Sequence, residues 1–140
     1  MADHDHTIDE GLTEFLHAAM PFAGVLDIQA VKGDQESVVA IIDWAAEKCT
    51  TNEIIHGGYL MGVADTAGAA LAIQHLPEGA GTATIESKTN FLRGAPRGRY
   101  TVTATPVHVG RTTIVVQTDI TRGDGKLVTR TTQTQAVLHP

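Results

Sequence analysis

The sequence has one cysteine, few aromatic residues and no apolar run long enough to cross a membrane. Because Cys49 is the single cysteine among 140 residues, no disulfide can form within the chain, and we expect a reducing compartment. Aromatic residues make up 4%, which gives no sign of an aromatic-stacking pocket. The most apolar stretch, 59–73, is shorter than a membrane span and carries Asp65 in its middle. These features predict a cytoplasmic protein with no membrane partner.

Basic residues are also scarce. Ten lysines and arginines against sixteen acidic residues give a formal net charge of −6. Affinity for nucleic acid comes mainly from neutralised phosphates, so nucleic acid is not expected as a partner. A local basic pocket for a phosphorylated ligand is still compatible with this charge.

The N-terminus lacks the basic and then apolar order of a signal peptide. Residues 1–8 are expected to form a flexible tail, and 9–140 a single domain. Acidic and histidine side chains cluster at 3–6, but a solvated tail is the preferred interpretation, so no metal site is predicted.

Hydrophobic periodicity predicts a helix at 9–20 that ends before Pro21, and a second helix at 57–76. Two strands are predicted before the second helix, at 25–31 and 37–43, joined by a turn at 32–34. Four strands are predicted after it, at 82–92, 99–109, 112–121 and 126–138. Eleven threonines lie between Thr101 and Thr134, which favours half-exposed strands.

The segment 57–76 is the most unusual of these elements. Nine of its first sixteen residues are glycine or alanine, and it is apolar on nearly every face. A helix with this pattern is typically buried. An antiparallel sheet curled around one apolar helix satisfies the predicted order, which is an α+β architecture.

Asp65 is the candidate for chemistry on this helix. Its neighbours at helical spacing are Met61, Gly62, Gly68 and Ala69, none of which offers a side-chain donor or a cation. Two interpretations remain open. The carboxylate either hydrogen-bonds a neighbouring strand as a structural group, or faces a pocket as a base or nucleophile.

His56, Gly57 and Gly58 lead into the same helix. Glycines at a helix start leave backbone N–H groups free, with the positive end of the helix dipole behind them. Such a point can polarise a carbonyl and hold the oxyanion formed when it is attacked. A tight turn is the simpler interpretation of the glycines taken alone.

Together these residues carry a resemblance. His56-Gly57-Gly58, followed after five residues by Ala64-Asp65-x-Ala67, resembles the signature of hotdog-fold thioesterases of the phenylacetic-acid-degradation type. The stretches 84–93, 110–111 and 125–128 also resemble segments of that family. The resemblance covers roughly residues 10–138 and implies a hotdog fold, in which an antiparallel sheet wraps around one long central helix.

The resemblance implies hydrolysis of an acyl-coenzyme A and a role for each matching residue. Asp65 would activate water or attack the thioester, the Gly57 N–H would polarise its carbonyl, His56 would shape the loop, and Thr84 would orient the carboxylate or water. Coenzyme A is part of the substrate, so no separate cofactor is implied. Its path would be lined by Gly58, Glu86, Phe91, Arg93, His108, Val109, Gly110, Arg111 and Thr112.

The resemblance also implies that the site lies between two subunits, one giving the His-Gly-Gly loop and the other the Asp. A homodimer or a dimer of dimers is therefore expected. Four arginines, at 93, 97, 99 and 111, are candidates for nucleotide-phosphate contacts.

The loop before His56 departs from the family pattern. Where the family often has Asn six residues before the His and Gly three before it, this chain has Thr50 and Glu53, and Asn52 is displaced by two. The loop path is therefore expected to differ. Glu53 is either a second carboxylate near the site or a solvated loop residue.

Two other functions are compatible with the same fold. A hydratase or dehydratase would need a His and a carboxylate placed to move protons on the acyl carbons, and no Asp-x-Asn-Pro-x-x-x-His arrangement is present. A non-catalytic acyl-CoA-binding module would keep the pocket but has no need of Asp65.

Overall fold

The structure, a computed structural model, describes residues 6–140. It contains three α-helices, namely α1 (Glu10–Ala19), α2 (Pro21–Val25) and α3 (Gly57–Ile73). Its six strands are β1 (Gln29–Gly33), β2 (Val38–Asp43), β3 (Gly81–Phe91), β4 (Arg99–Val109), β5 (Thr113–Arg122) and β6 (Leu127–Leu138). Short 3-10 turns lie at Ala46–Lys48 and Thr51–Glu53. Most of the predicted tail at 1–8 lies outside the described residues, as does most of the cluster at 3–6.

All six strands form one antiparallel sheet in the order β1-β2-β4-β5-β6-β3. The two edges differ in protection. Beside β1 lies α1, where the Asp9 N–H donates to the Ala30 carbonyl and the Thr13 hydroxyl oxygen accepts from the Ala30 N–H, each at 2.8 Å. By contrast β3 is a long edge strand with Ile85 and Phe91 more than half exposed. An uncovered edge of this length invites pairing with another chain.

The sheet packs on α3, as the sequence predicts. Side chains of α3 that face the sheet are fully buried, among them Val63, Ala64 and Leu71. The opposite stripe, at Met61, Asp65, Ala69 and Ile73, is spaced by four residues and is not buried in the single chain. The helix is therefore covered on one side only, although its sequence is apolar all round.

Two predicted boundaries are wrong at the N-terminal end. The predicted strand at 25–31 begins only at Gln29, because Pro21 starts α2 as well as ending α1. Proline is favoured in the first turn of a helix, where its missing N–H costs nothing. The hairpin turn follows Gly33 and not Lys32, since the Asp34 carboxylate accepts from the backbone N–H groups of Glu36 and Ser37. The predicted end of α3 at residue 76 is also late by three residues.

The threonine-rich strands form as predicted, but several of their side chains are buried and not half-exposed. Thr118, Thr129 and Thr131 are at most 1% exposed, as are Gln133 and Gln135. The inner face of β6 is therefore a polar stripe that lies beneath α3. Buried polar groups of this kind require hydrogen-bond partners.

Candidate active site

The first turn of α3 is capped by its own N-terminal residue. Nδ1 of His56 accepts a hydrogen bond from the Gly58 N–H at 2.7 Å. Because Nδ1 accepts, the ring proton of a neutral imidazole lies on Nε2. A Cβ on Gly58 would lie 2.9 Å from His56 Nδ1, so glycine lets the ring fold back onto the helix. The predicted shaping role of His56 has a physical basis in this cap.

The N–H of Gly57 has no acceptor within residues 6–140, since it is the first helical residue and the cap uses the next N–H. The Phe91 ring lies against it: a Cβ on Gly57 would sit 3.0 Å from Phe91 Cε1. Both line a cleft of about 390 Å³ together with Ile54, Leu60 and Arg93. This is a free donor at the positive end of a helix and beside a cavity, the arrangement that binds an oxyanion.

The loop before His56 is held in a strained path. Asn52 and Glu53 have φ values of 62° and 57°, in the left-handed region that residues other than glycine rarely adopt. Contacts to the Glu53 residue hold this conformation: Trp44 Nε1 donates to its carbonyl at 2.8 Å, and Arg97 Nη2 lies 2.5 Å from its carboxylate. Arg97 also stacks on Trp44 at 4.0 Å. The Glu53 carboxylate is thus engaged in an ion pair that braces the loop.

The Asp65 carboxylate lies on the uncovered stripe of α3 and contacts two strands. Its Oδ1 is 2.8 Å from Thr84 Oγ1 on β3 and accepts from Gln133 Nε2 on β6 at 3.0 Å. No described residue donates to Oδ2. Asp65 is therefore bonded to neighbouring strands, as the structural interpretation expects, and the residue as a whole is exposed in the single chain. Its role as a base or nucleophile stays a prediction.

A bulge in β3 selects which side chains reach Asp65. The register with β6 shifts between Thr84, which pairs with Gln135, and Glu86, which pairs with Thr134. Thr84 consequently points inward, whereas Glu86 lies on the outer face and accepts from the Thr134 hydroxyl at 2.9 Å. Without the extra residue both would share one face. The predicted contact of Glu86 with substrate therefore requires a ligand on the outer face of the sheet.

The predicted stretch 108–112 forms the end of β4 and the turn into β5. Gly110 fits the turn closely, since a Cβ there would lie 2.7 Å from His108 Nε2 and 2.9 Å from the Thr113 carbonyl. Ile114, Gln135 and Thr84 lie in one row across β5, β6 and β3. This turn is thus at the Asp65 end of the sheet, whereas Phe91 and Arg93 lie at the opposite end.

The predicted site residues therefore fall into two groups. The loop group contains His56, Gly57, Gly58, Phe91 and Arg93. The carboxylate group contains Asp65, Thr84 and the turn 108–112.

Asp65 follows Gly57 by eight positions on the same helix, which is a distance of about 12 Å along the axis. One thioester carbonyl cannot touch both within a single chain.

The four predicted phosphate-binding arginines are not equivalent. Arg97 pairs with Glu53, and Arg99 pairs with Asp43 through Nε at 2.8 Å. Arg93 donates to the Leu127 carbonyl at 2.8 Å. The guanidinium of Arg111 has no ion pair within the described part of the chain. Arg111 is therefore the most available to a ligand of the four arginines.

A second hollow of about 670 Å³ is lined in part by His56, Phe22, Lys48 and Tyr59. The Tyr59 hydroxyl donates to the Leu26 carbonyl at 2.6 Å. Burial raises the pKa of Tyr59, and the nearby carboxylates of Asp27 and Asp43 raise it further. The phenol stays protonated at neutral pH, so it cannot serve as a base.

Two residues of this site were not predicted from the sequence. Gln133 and Gln135 lie on β6 beneath Asp65 and form a hydrogen-bonded pair at 2.9 Å. Their inward position follows from strand alternation, which places 129, 131, 133 and 135 on one face. That signal was present, but glutamine in a threonine-rich strand suggests an exposed face.

Neither a metal cluster nor a membrane span is found among residues 6–140. No group of three or more His, Cys, Asp or Glu side chains could hold a metal ion there. No helix in that range is both long and apolar enough to cross a bilayer.

Comparison with solved structures identifies the architecture. A Pseudomonas aeruginosa thioesterase variant is 27% identical and superposes with a TM-score of 0.83, covering 90% of this chain and 93% of that one. AziG of S. sahachiroi is 28% identical with a TM-score of 0.82, covering 86% and 98%. A thioesterase from Haemophilus influenzae, at 24% identity and a TM-score of 0.84 over 99% and 94%, shares the fold. The sheet wrapped around α3 is the hotdog fold, as predicted.

Sequence relatives identify the family. The thioesterase superfamily matches residues 52–129, more than half of the chain. ComA2 of Bacillus subtilis, an inferred esterase, is 31% identical over 116 residues, 81% of this chain and 90% of that protein. An inferred esterase of Haemophilus influenzae is 34% identical over 74 residues, which span 53% of this chain and only 54% of the relative. The chain belongs to the thioesterase superfamily, and the names of its relatives support thioester hydrolysis in general.

Proposed function

We propose that the protein is an acyl-CoA thioesterase of the phenylacetic-acid-degradation type, acting in the cytoplasm. The observation that carries the proposal is the Asp65 carboxylate. Its Oδ1 accepts from Gln133 Nε2 and lies 2.8 Å from the Thr84 hydroxyl, while Oδ2 has no donor among the described residues and the residue lies on the uncovered stripe of α3. A carboxylate so oriented is suited to take a proton from water or to attack a carbonyl.

The reaction consumes one water. The C–S bond of the thioester breaks, the acyl carbon gains the water oxygen, and the thiolate of coenzyme A takes up a proton. By the general-base route Asp65 removes the proton from the attacking water. By the nucleophilic route it forms an acyl anhydride that water then opens. In both routes the Gly57 N–H stabilises the negative charge on the carbonyl oxygen.

The proposed site is formed by two chains. Because Gly57 and Asp65 lie about 12 Å apart on one helix, a second copy must bring its own loop group to the carboxylate group of the first. The exposed edge of β3 and the uncovered stripe of α3 are the surfaces available for this pairing. A two-fold axis would create two equivalent sites per dimer. Light scattering that gives 14.8 kDa, the mass of one chain, at micromolar concentration would contradict the arrangement.

A hydrolysis screen tests the proposed function. Wild-type protein is incubated with short, long and aromatic acyl-CoAs, and released thiol is detected with a dye. We expect thiol release with at least one substrate, and its loss in Asp65→Asn. An acyl-CoA that binds without thiol release would favour a binding module. Loss or gain of enoyl absorbance without thiol would favour a hydratase or dehydratase.

A further inference from the structure

Gln133 is a fully buried polar side chain whose position beneath the helix needs an explanation. It lies on the inner face of β6, 0% exposed, and sits 68 residues from Asp65 in the sequence. One N–H of its amide is aimed at Asp65 Oδ1 at 3.0 Å, and the other at Gln135 Oε1 at 2.9 Å. Within residues 6–140 its own Oε1 has no donor. Leaving a carbonyl buried without a partner costs stability.

The amide can face Asp65 in only one orientation. The Thr82 hydroxyl donates to the Ala136 carbonyl at 2.8 Å, so its oxygen is left to accept from Gln135 Nε2 at 3.1 Å. That contact turns Gln135 Oε1 toward Gln133. Because Oε1 can only accept, Gln133 must face it with its Nε2 donor. The backbone carbonyl of Ala136 on β6 therefore fixes, through Thr82 and Gln135, which end of the Gln133 amide faces the carboxylate.

Gly68 makes room for this amide. A Cβ at position 68 would lie 2.0 Å from Gln133 Oε1 and 2.5 Å from its Cδ. Any side chain there would displace the amide from Asp65, which is three residues earlier on the same helix. A glycine inside a helix is itself destabilising. The fold thus accepts two unfavourable features at one point, and both serve the contact with Asp65.

We propose that Gln133 is a positioning residue for Asp65, with Gly68 as the clearance that admits it. With Thr84 it holds Oδ1 from the inside of the sheet, so that Oδ2 is presented outward to the reacting atoms. This assignment rests on the proposed catalytic function of Asp65. It adds two residues, Gln133 and Gly68, that act on the reaction only through the carboxylate.

The substitution Gln133→Met tests the assignment because methionine keeps the length and removes the donor. We expect kcat to fall by about 10- to 100-fold, the size of loss typical when a partner that orients a reactive group is removed. KM should stay within about twofold, since Gln133 does not reach the substrate. The matched control is Thr129→Val, on the same strand and face, fully buried and without a hydroxyl partner in the described chain. Its kcat should equal that of the wild type.

Gly68 supplies a second test that separates positioning from folding. Gly68→Ala should lower both the melting temperature and kcat, because the new methyl collides with the amide. The double variant Gly68→Ala with Gln133→Ala removes the collision. It should recover melting temperature but not kcat. Recovery of kcat in the double variant, or full kcat in Gln133→Met, would overturn the assignment.

A crystal structure of Gln133→Met distinguishes failure of this proposal from failure of the proposed function. The Asp65 carboxylate should leave its position against Thr84 in that variant and keep it in Thr129→Val. If the wild-type protein hydrolyses no acyl-CoA, the proposed function fails, and the carboxylate position alone decides on the positioning role. An Asp65 side chain unmoved in Gln133→Met would refute it.

Discussion

Gly57 and Asp65 of one chain lie about 12 Å apart, so each proposed site takes one of them from each chain. Two variants that are inactive for different reasons should therefore regain activity when they form a mixed dimer. Gly57→Pro removes the N–H at the first helical position, where proline is tolerated, and His56 already has the extended backbone that proline requires of its predecessor. Gly57→Ala is the matched control, because it makes the same contact with Phe91 but keeps the N–H. Asp65→Asn is the second inactive variant.

The fraction of activity that the mixture should regain follows from two-fold symmetry. Loss of an oxyanion donor costs roughly 10²–10³ in kcat, so each variant alone should be nearly inactive. In a mixed dimer one site carries both defects and the other carries none. Random pairing of equal amounts makes half of the dimers mixed, so the preparation should recover about one quarter of wild-type activity.

Co-expression of the two variants with different tags provides the assay. Mixed dimers isolated through both tags should show about half of wild-type thioesterase activity per dimer, by the same symmetry argument. Gly57→Ala should retain most activity alone. If mixed dimers are as inactive as their parents, both groups act from one chain and the two-chain site is wrong.

Three further outcomes follow from the surface charges. Raising salt should increase KM for acyl-CoA with little change in kcat, because screening weakens phosphate contacts. The KM of acyl-pantetheine substrates should not change. A salt-independent KM for acyl-CoA would count against those contacts. Arg111→Ala should raise KM for acyl-CoA only, and equal effects on both substrates would exclude a phosphate role. The Arg122 guanidinium, followed by the Lys126 N–H, lowers the pKa of Asp124 from 3.8 to about 2. This contact should therefore stabilise the protein above about pH 4 and lose its effect as pH falls toward 2. Thermal melts of Asp124→Asn should match the wild type at pH 2 and lie below it at pH 7, and the reverse order would refute the reasoning.

Local signals account for most of the fold. The start of α3 at Gly57 depends on neighbouring residues alone, and so does the break between the strands predicted at 112–121 and 126–138. These boundaries were predicted within a residue or two. The helix α2 was missed because Pro21 both ends one helix and starts the next. The bulge at Thr84 was missed because it depends on the register with β6, which the local pattern does not contain.

The site was predictable only as far as its motif. Asp65 and the His56 loop form a spacing visible along the chain, whereas Gln133 reaches Asp65 across 68 residues. The reason for glycine at 68 cannot be read from the sequence either, because it is the Gln133 amide that occupies the space a Cβ would need. The brace of Glu53 by Arg97 is also long-range, at a separation of 44 residues.

The central claim, that Asp65 drives the chemistry, is tested most directly by kcat and melting temperature measured together for Asp65→Asn. Asparagine keeps an Oδ1 that can accept from Gln133 and lie against Thr84, and places an amide where Oδ2 has no donor among the described residues. We therefore expect a melting temperature equal to or above that of the wild type, nearly constant KM, and a fall in kcat of about 10²–10⁴-fold or more. A protein that is less stable by about 1–3 kcal/mol yet fully active on its best acyl-CoA would show that Asp65 is a structural residue, and would contradict the account.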